Sequence, residues 1–148
     1  MRYFEDFAPG QVFDLGSHEF SREEIVGFAR QWDPQLFHVD EDAAAESAFG
    51  GLVASGWHTA CAFMRLYVDG LLLDSASMGS PGLAELRWLV PVRPGDVLRG
   101  TAAVTAVAPS SVRADRGTVF LRFEMHNTRQ ELVAGMNGRG LFGRRPLS

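Results

Sequence analysis

The sequence predicts an α+β fold in which one long helix lies against a curved antiparallel sheet. Three observations lead there. One strand-like segment comes first, a long and largely apolar helical stretch follows, and strand-like segments separated by turn signals fill the second half. At 148 residues the chain is long enough to bury a core without a disulfide or metal staple, and it reads as one domain over 1–148.

Residues 11–20 open as a strand, with Val12, Phe13, Leu15 and Phe20 set among polar residues. Ser21 and Glu24 then form the signature of a capping box: the serine accepts from the amide three residues on, and Glu24 is expected to reach back. Ile25, Val26, Phe28, Ala29 and Trp32 follow at helical spacing, and Pro34 stops the helix at Asp33 by disfavouring helical dihedrals before it. Asp40 caps a short helix through Ala45, with Glu41 and Asp42 in its favoured acidic first turn. A long helix runs from about Gly56 to Leu73, apolar on most of its circumference and therefore expected to be wrapped. Strands are predicted over Leu83–Val92, Val97–Val107, Thr118–Asn127 and Glu131–Phe142, with turns at Arg93–Asp96 and Asn127–Gln130. Within the third of these, Val119, Leu121, Phe123 and Met125 share one face, and Phe120, Arg122, Glu124 and His126 the other.

Composition excludes several classes of function. A net charge of −4, with 14 scattered Lys and Arg, offers no nucleic-acid surface, and Arg144 and Arg145 read as a solvated tail. Cys61 is the single cysteine; it excludes an internal disulfide and, among Ala60, Ala62 and Met64, is expected to be a buried apolar residue. MRYFEDFAPG resembles neither a signal peptide nor an anchor, and no apolar run reaches the roughly 20 residues of a spanning helix. A cytoplasmic location without membrane attachment is expected.

The chemistry gathers in DPQLFHVD at Asp33–Asp40, read as a loop that sets Asp33 and His38 five residues apart, and in FGGLVASGWHT at Phe49–Thr59, followed by LRWLVPVRPGDVL at Leu86–Leu98. In this order the segments resemble the MaoC-like dehydratases, the hot-dog-fold family that includes the R-specific enoyl-CoA hydratases, and the similarity covers nearly the whole chain. Pro34, Gln35, Leu36 and Phe37 stand where those hydratases usually carry Asn-Pro, and Ser55 stands where many relatives have His. The resemblance implies reversible hydration of a 2-enoyl-CoA, with Asp33 and His38 sharing one water and the Gly56 amide binding the oxyanion. It also implies a homodimer that helps to shape the acyl pocket, no metal, and no cofactor beyond the coenzyme A of the substrate.

The residues fit this chemistry independently. Hydration next to a thioester needs a group to take a proton from water, a group to manage the proton at C2, and donors for the enolate-like oxygen. Asp33 and His38 can fill the first two roles. The helix start at Ser55, Gly56 and Trp57 offers unpaired amides and a positive dipole end for the third. Other readings stay open. Asp33 and His38 could serve only the local backbone, or bind a metal together with Asp40. Ser55 is most simply a helix cap, and His58 is expected to be satisfied locally rather than to face a pocket. His18 and His126 are expected as partly exposed strand residues. Trp57, Trp88 and Phe49 are candidate pocket walls, with core packing as the alternative, while Arg65, Arg87 and Arg93 are the candidates for holding the nucleotide. A thioesterase and a noncatalytic acyl-thioester-binding module are the competing functions.

Overall fold

Alternation between apolar and polar side chains makes Arg116–His126 the middle strand of a five-stranded antiparallel sheet. Its inward row is Val119, Leu121, Phe123 and Met125, all buried. The computed structural model describes residues 1–148. Its strands are β1 (Val12–Glu19), β2 (Leu83–Trp88), β3 (Val97–Pro109), β4 (Arg116–His126) and β5 (Leu132–Gly143), in the spatial order β1-β3-β4-β5-β2. Four helices lie between β1 and β2: α1 (Arg22–Trp32), α2 (Leu36–Val39), α3 (Glu41–Glu46) and α4 (Gly56–Gly70). The long helix α4 lies on the sheet, and Phe63 and Tyr67 stack around Phe123 with ring centroids 5.0 and 4.8 Å away. This is the hot-dog arrangement that the sequence leads one to expect.

Local chemistry explains the joints. Ser21 accepts from the Glu24 amide at 3.1 Å, and the Asp33 amide closes α1 on the Ala29 carbonyl at 2.8 Å. Asp40 caps α3 through the Ala43 amide at 3.0 Å. The RPGD turn closes with the Asp96 carboxylate accepting from the Arg93 amide, and Gly95 adopts φ +89°, a conformation that glycine takes without a steric penalty. At the start of the chain Phe4 and Phe7 are buried, and the Phe7 ring lies 4.5 Å from that of Phe142 on β5.

Several expectations need correction. The residues 36–39, expected as loop, form α2. Strand β2 ends at Trp88, because beyond it Leu89 and Val90 both turn their amides to the single carbonyl of Val133 and leave the ladder. Within this chain α4 is covered on one side only. Trp57 (57% exposed) and Met64 face outward, and so does Cys61, which is exposed rather than buried. The α-helical stretch stops at Gly70, and Leu72–Asp74 continues as a 3-10 turn. Glu24 does not reach back to Ser21; its carboxylate turns instead to His18 and His58. Arg144 and Arg145 are not a free tail, since they pair with Glu5 and Asp6 at 2.9 and 2.8 Å.

Candidate active site

Pro34 and the end of α1 hold Asp33 at the mouth of a cavity of about 500 Å³, and the short helix α2 brings His38 to the same place. His38 is buried. Its Nδ1 lies 2.6 Å from the Val53 carbonyl oxygen, which can only accept, so Nδ1 carries a proton. Its Nε2 faces Asp33 Oδ2 at 3.2 Å. When the imidazole is neutral, Nε2 is therefore a lone-pair acceptor beside a second acceptor, the carboxylate. A donor placed between them satisfies both.

The other Asp33 oxygen is occupied. Gln35 donates its side-chain N–H to Oδ1 at 2.8 Å, and the buried Ser55 hydroxyl lies close enough to the carboxylate to help stabilise its charge. Burial pushes the Asp33 carboxyl up, but the Gln35 and Ser55 hydrogen bonds and the attraction of His38 outweigh it and leave the pKa below the ordinary value. Asp33 is thus ionised at neutral pH.

The start of α4 forms the next wall. Ser55 is fully buried, and its Oγ accepts from the Trp57 amide at 3.3 Å while its carbonyl accepts from His58 and Thr59. The hydroxyl is the cap that the sequence favours, and it also lies beside Asp33. As the first residue of α4, Gly56 has an amide bonded to no backbone carbonyl, and it lines the cavity together with Trp57. The missing side chain of Gly56 serves Trp88 first. A Cβ there would lie 2.5 Å from the indole carbons Cδ2 and Cε2.

Trp57 and Trp88 meet edge to face with centroids 5.2 Å apart, and Phe49 packs on Phe37 at 5.1 Å. Trp57, Trp88 and Phe49 line the cavity and are all exposed, so they are walls rather than core. The floor is apolar, with Val53, Val92 and Val133 buried.

Other candidates lie elsewhere. Asp40 is used as the α3 cap, which removes it from any metal set with Asp33 and His38. His58 does not line the cavity and is held by Glu24. Arg65 pairs with Asp69, and Arg93 anchors the Phe49 carbonyl at 2.6 Å, so it shapes the rim. Arg87 is exposed on β2, where it pairs in register with Gly135. Sequence reading misses Gln35 and the Val53 carbonyl. Gln35 shows in the sequence only as a departure from Asn-Pro, and a backbone carbonyl leaves no residue-type signal.

Residues 6–119 match the family described as MaoC like domain. The chain belongs to the MaoC-like dehydratase family. Its hot-dog fold superimposes on the crystal structure of a MaoC-like dehydratase from Rhodospirillum rubrum with a TM-score of 0.89 and 43% identity, covering 99% of this chain and 100% of that one. It is also similar to a 3-hydroxybutyryl-CoA dehydratase from Methylorubrum extorquens, 32% identical over 121 residues that cover 76% of this chain and 69% of the relative. An (R)-specific enoyl-CoA hydratase from Rhodospirillum rubrum is 30% identical over 115 residues, covering 74% of each. The named relatives of this MaoC-like chain are thus hydratases and dehydratases, which supports a lyase-type enzyme. No helix in it is long and apolar enough to cross a membrane.

Proposed function

We propose that this chain adds water reversibly across the C2=C3 bond of a 2-enoyl-CoA, giving an R-3-hydroxyacyl-CoA, with Asp33 and His38 as the proton-transfer groups. The observation that carries the reading is the His38 hydrogen bond to Val53. It commits Nδ1 as a donor and so points the Nε2 lone pair and the Asp33 carboxylate, 3.2 Å apart, at one place on the cavity wall. A water donating to both acceptors has its oxygen free to attack C3. One of the pair takes the proton from water and, so protonated, delivers a proton to C2 as the enolate collapses, which restores the starting protonation state; the reverse reaction retraces these steps.

The thioester oxygen gains negative charge as C3 is attacked. The free Gly56 amide at the positive end of α4 supports its stabilisation there, an interaction of a kind worth about 10² to 10³ in rate. The names of the hydratase and dehydratase relatives support the substrate class. No cofactor beyond the substrate's coenzyme A, a cytoplasmic location and a homodimer complete the proposal. The dimer is supported by the edge position of β2, on which Leu83 and Trp88 are exposed, Trp88 also lining the cavity.

The test is turnover of a panel of 2-enoyl-CoA thioesters in heavy-oxygen water, followed by mass spectrometry with wild type and Asp33→Asn in parallel. Labelled 3-hydroxyacyl-CoA from the wild type alone is expected. Labelled free acid would show a thioesterase, and binding without conversion a noncatalytic module; either result overturns the proposal.

A further inference from the structure

We propose that His18, Glu24 and His58 form a binding site for a divalent transition metal of the zinc type, outside the catalytic cavity. Their possible ligand atoms all lie within 4.8 Å of one another. The Glu24 carboxylate leaves the helix cap that its sequence position favours, and its Oε1 accepts from Nε2 of His18 at 2.6 Å and Nε2 of His58 at 2.9 Å. Three elements converge here: β1 supplies His18, α1 supplies Glu24 and α4 supplies His58.

The donor set and its spacing suit such an ion. Two imidazoles and one carboxylate fit zinc or cobalt, and the single negative charge of Glu24 partly neutralises a dication. Zinc–nitrogen bonds of about 2.0–2.1 Å put tetrahedral neighbours roughly 3.3 Å apart, so the two Glu24 contacts need to open by roughly half an ångström and the two imidazole nitrogens, within 4.8 Å of each other, to close by up to roughly 1.5 Å, a movement open to the partly exposed His18 ring. His18 and Glu24 are partly exposed, which leaves a solvent-facing position for a water as fourth ligand.

His58 is the fixed member of the set. It is only 4% exposed, stacks on Phe28 with centroids 4.8 Å apart, and its Nδ1 is buried without a hydrogen-bond partner. A buried ring with an unpaired nitrogen costs stability that an apolar side chain between Phe20 and Phe28 would not, so fold stability alone does not account for a histidine here. On binding, the proton on each Nε2 shifts to Nδ1 and the two hydrogen bonds to Glu24 give way to metal bonds. The Nδ1–H of His58 then lacks an acceptor, which limits the affinity.

None of the three residues lines the catalytic cavity, so the ion ties β1, α1 and the first turn of α4 together and takes no part in turnover. The test uses the full chain stripped with a chelator, titrated with zinc chloride by calorimetry and with cobalt chloride by visible absorption. One ion per chain, four-coordinate cobalt bands and a Tm rise of roughly 5–10 °C at a hundredfold excess over Kd are expected. His18→Ala and Glu24→Gln, at partly exposed positions, should each weaken binding at least tenfold, while His126→Ala leaves it unchanged. Absence of both cobalt bands and a Tm shift in the wild type would overturn the proposal, as would undiminished binding in His18→Ala and Glu24→Gln.

Discussion

Gly56→Ala tests the contact that most constrains the cavity wall. The new methyl would sit 2.5 Å from two ring carbons of Trp88, whereas carbon atoms in contact lie about 3.5–4.0 Å apart, so the indole has to retreat by at least roughly 1 Å. Trp88 is 44% exposed and can swing outward, which spares the backbone but disrupts its edge-to-face contact with Trp57. Such contacts are worth about 0.5–1.5 kcal/mol. Against this loss, alanine is the better helix former by up to about 1 kcal/mol. Gly56→Ala should therefore lie between about 0.5 kcal/mol stabilising and about 1.5 kcal/mol destabilising in the wild-type background. In a Trp88→Ala background, with the obstruction gone, the same change should stabilise by up to about 1 kcal/mol. Urea unfolding of the four chains, followed by far-UV circular dichroism so that the lost indole does not distort the signal, gives the coupling directly. A coupling below about 0.3 kcal/mol would refute the reasoning, because it would mean that the methyl and the indole do not meet.

The other expectations concern charge and access. Asp33→Asn and His38→Ala should each cost about 10² to 10⁴ in kcat on the best thioester, with circular dichroism showing the fold retained. Gln35→Ala removes the hydrogen bond on Asp33 Oδ1, so the Asp33 pKa should rise; carbon-13 titration of the carboxyl reads this without a substrate, and the acid limb of kcat/KM should move up with it. For Glu24, burial pushes the carboxyl up, but the His58 and His18 hydrogen bonds prevail and hold it below its ordinary value. Its ionised form therefore stabilises the fold above the unfolded-state value of about 4, and that contribution disappears as pH falls through the lower folded-state value; in unfolding measurements against pH, Glu24→Gln should flatten this fall. Cys61, exposed on the outer face of α4, should react with a thiol reagent in the folded monomer, and protection on raising the protein concentration would place that face in a self-association interface.

What the sequence reveals depends on how local the determining physics is. The alternation in β4 and the stop that Pro34 imposes on α1 are short-range, so the sheet and the position of Asp33 are readable without coordinates. The helix α2 is four residues long, too short for a periodic pattern, and His38 was consequently expected on a loop. Cys61 shows a different limit. On a helix that is apolar nearly all round, spacing does not tell which side the sheet covers. Glu24 shows a third, since its local partner Ser21 is visible in the sequence while its chosen partner His58 is 34 positions away. The resemblance to a family located Asp33, His38 and Gly56, but the link from His38 to a carbonyl of Val53 is legible only in three dimensions.

The clasp between the two ends of the chain bears on the order of events in synthesis. Phe4 and Phe7 lie against residues of β4 and β5, and Glu5 and Asp6 find their cations at Arg144 and Arg145. Residues 4–7 thus acquire these neighbours only after more than a hundred further residues have been joined. Until then two phenylalanines wait without a surface to cover, in a protein whose sheet pairs β1 with β3 across the whole helical region. Such long-range pairing slows folding and prolongs the exposure of sticky segments. The stretch around Phe4 and Phe7 is therefore exposed for long while the chain is being made, and settles late.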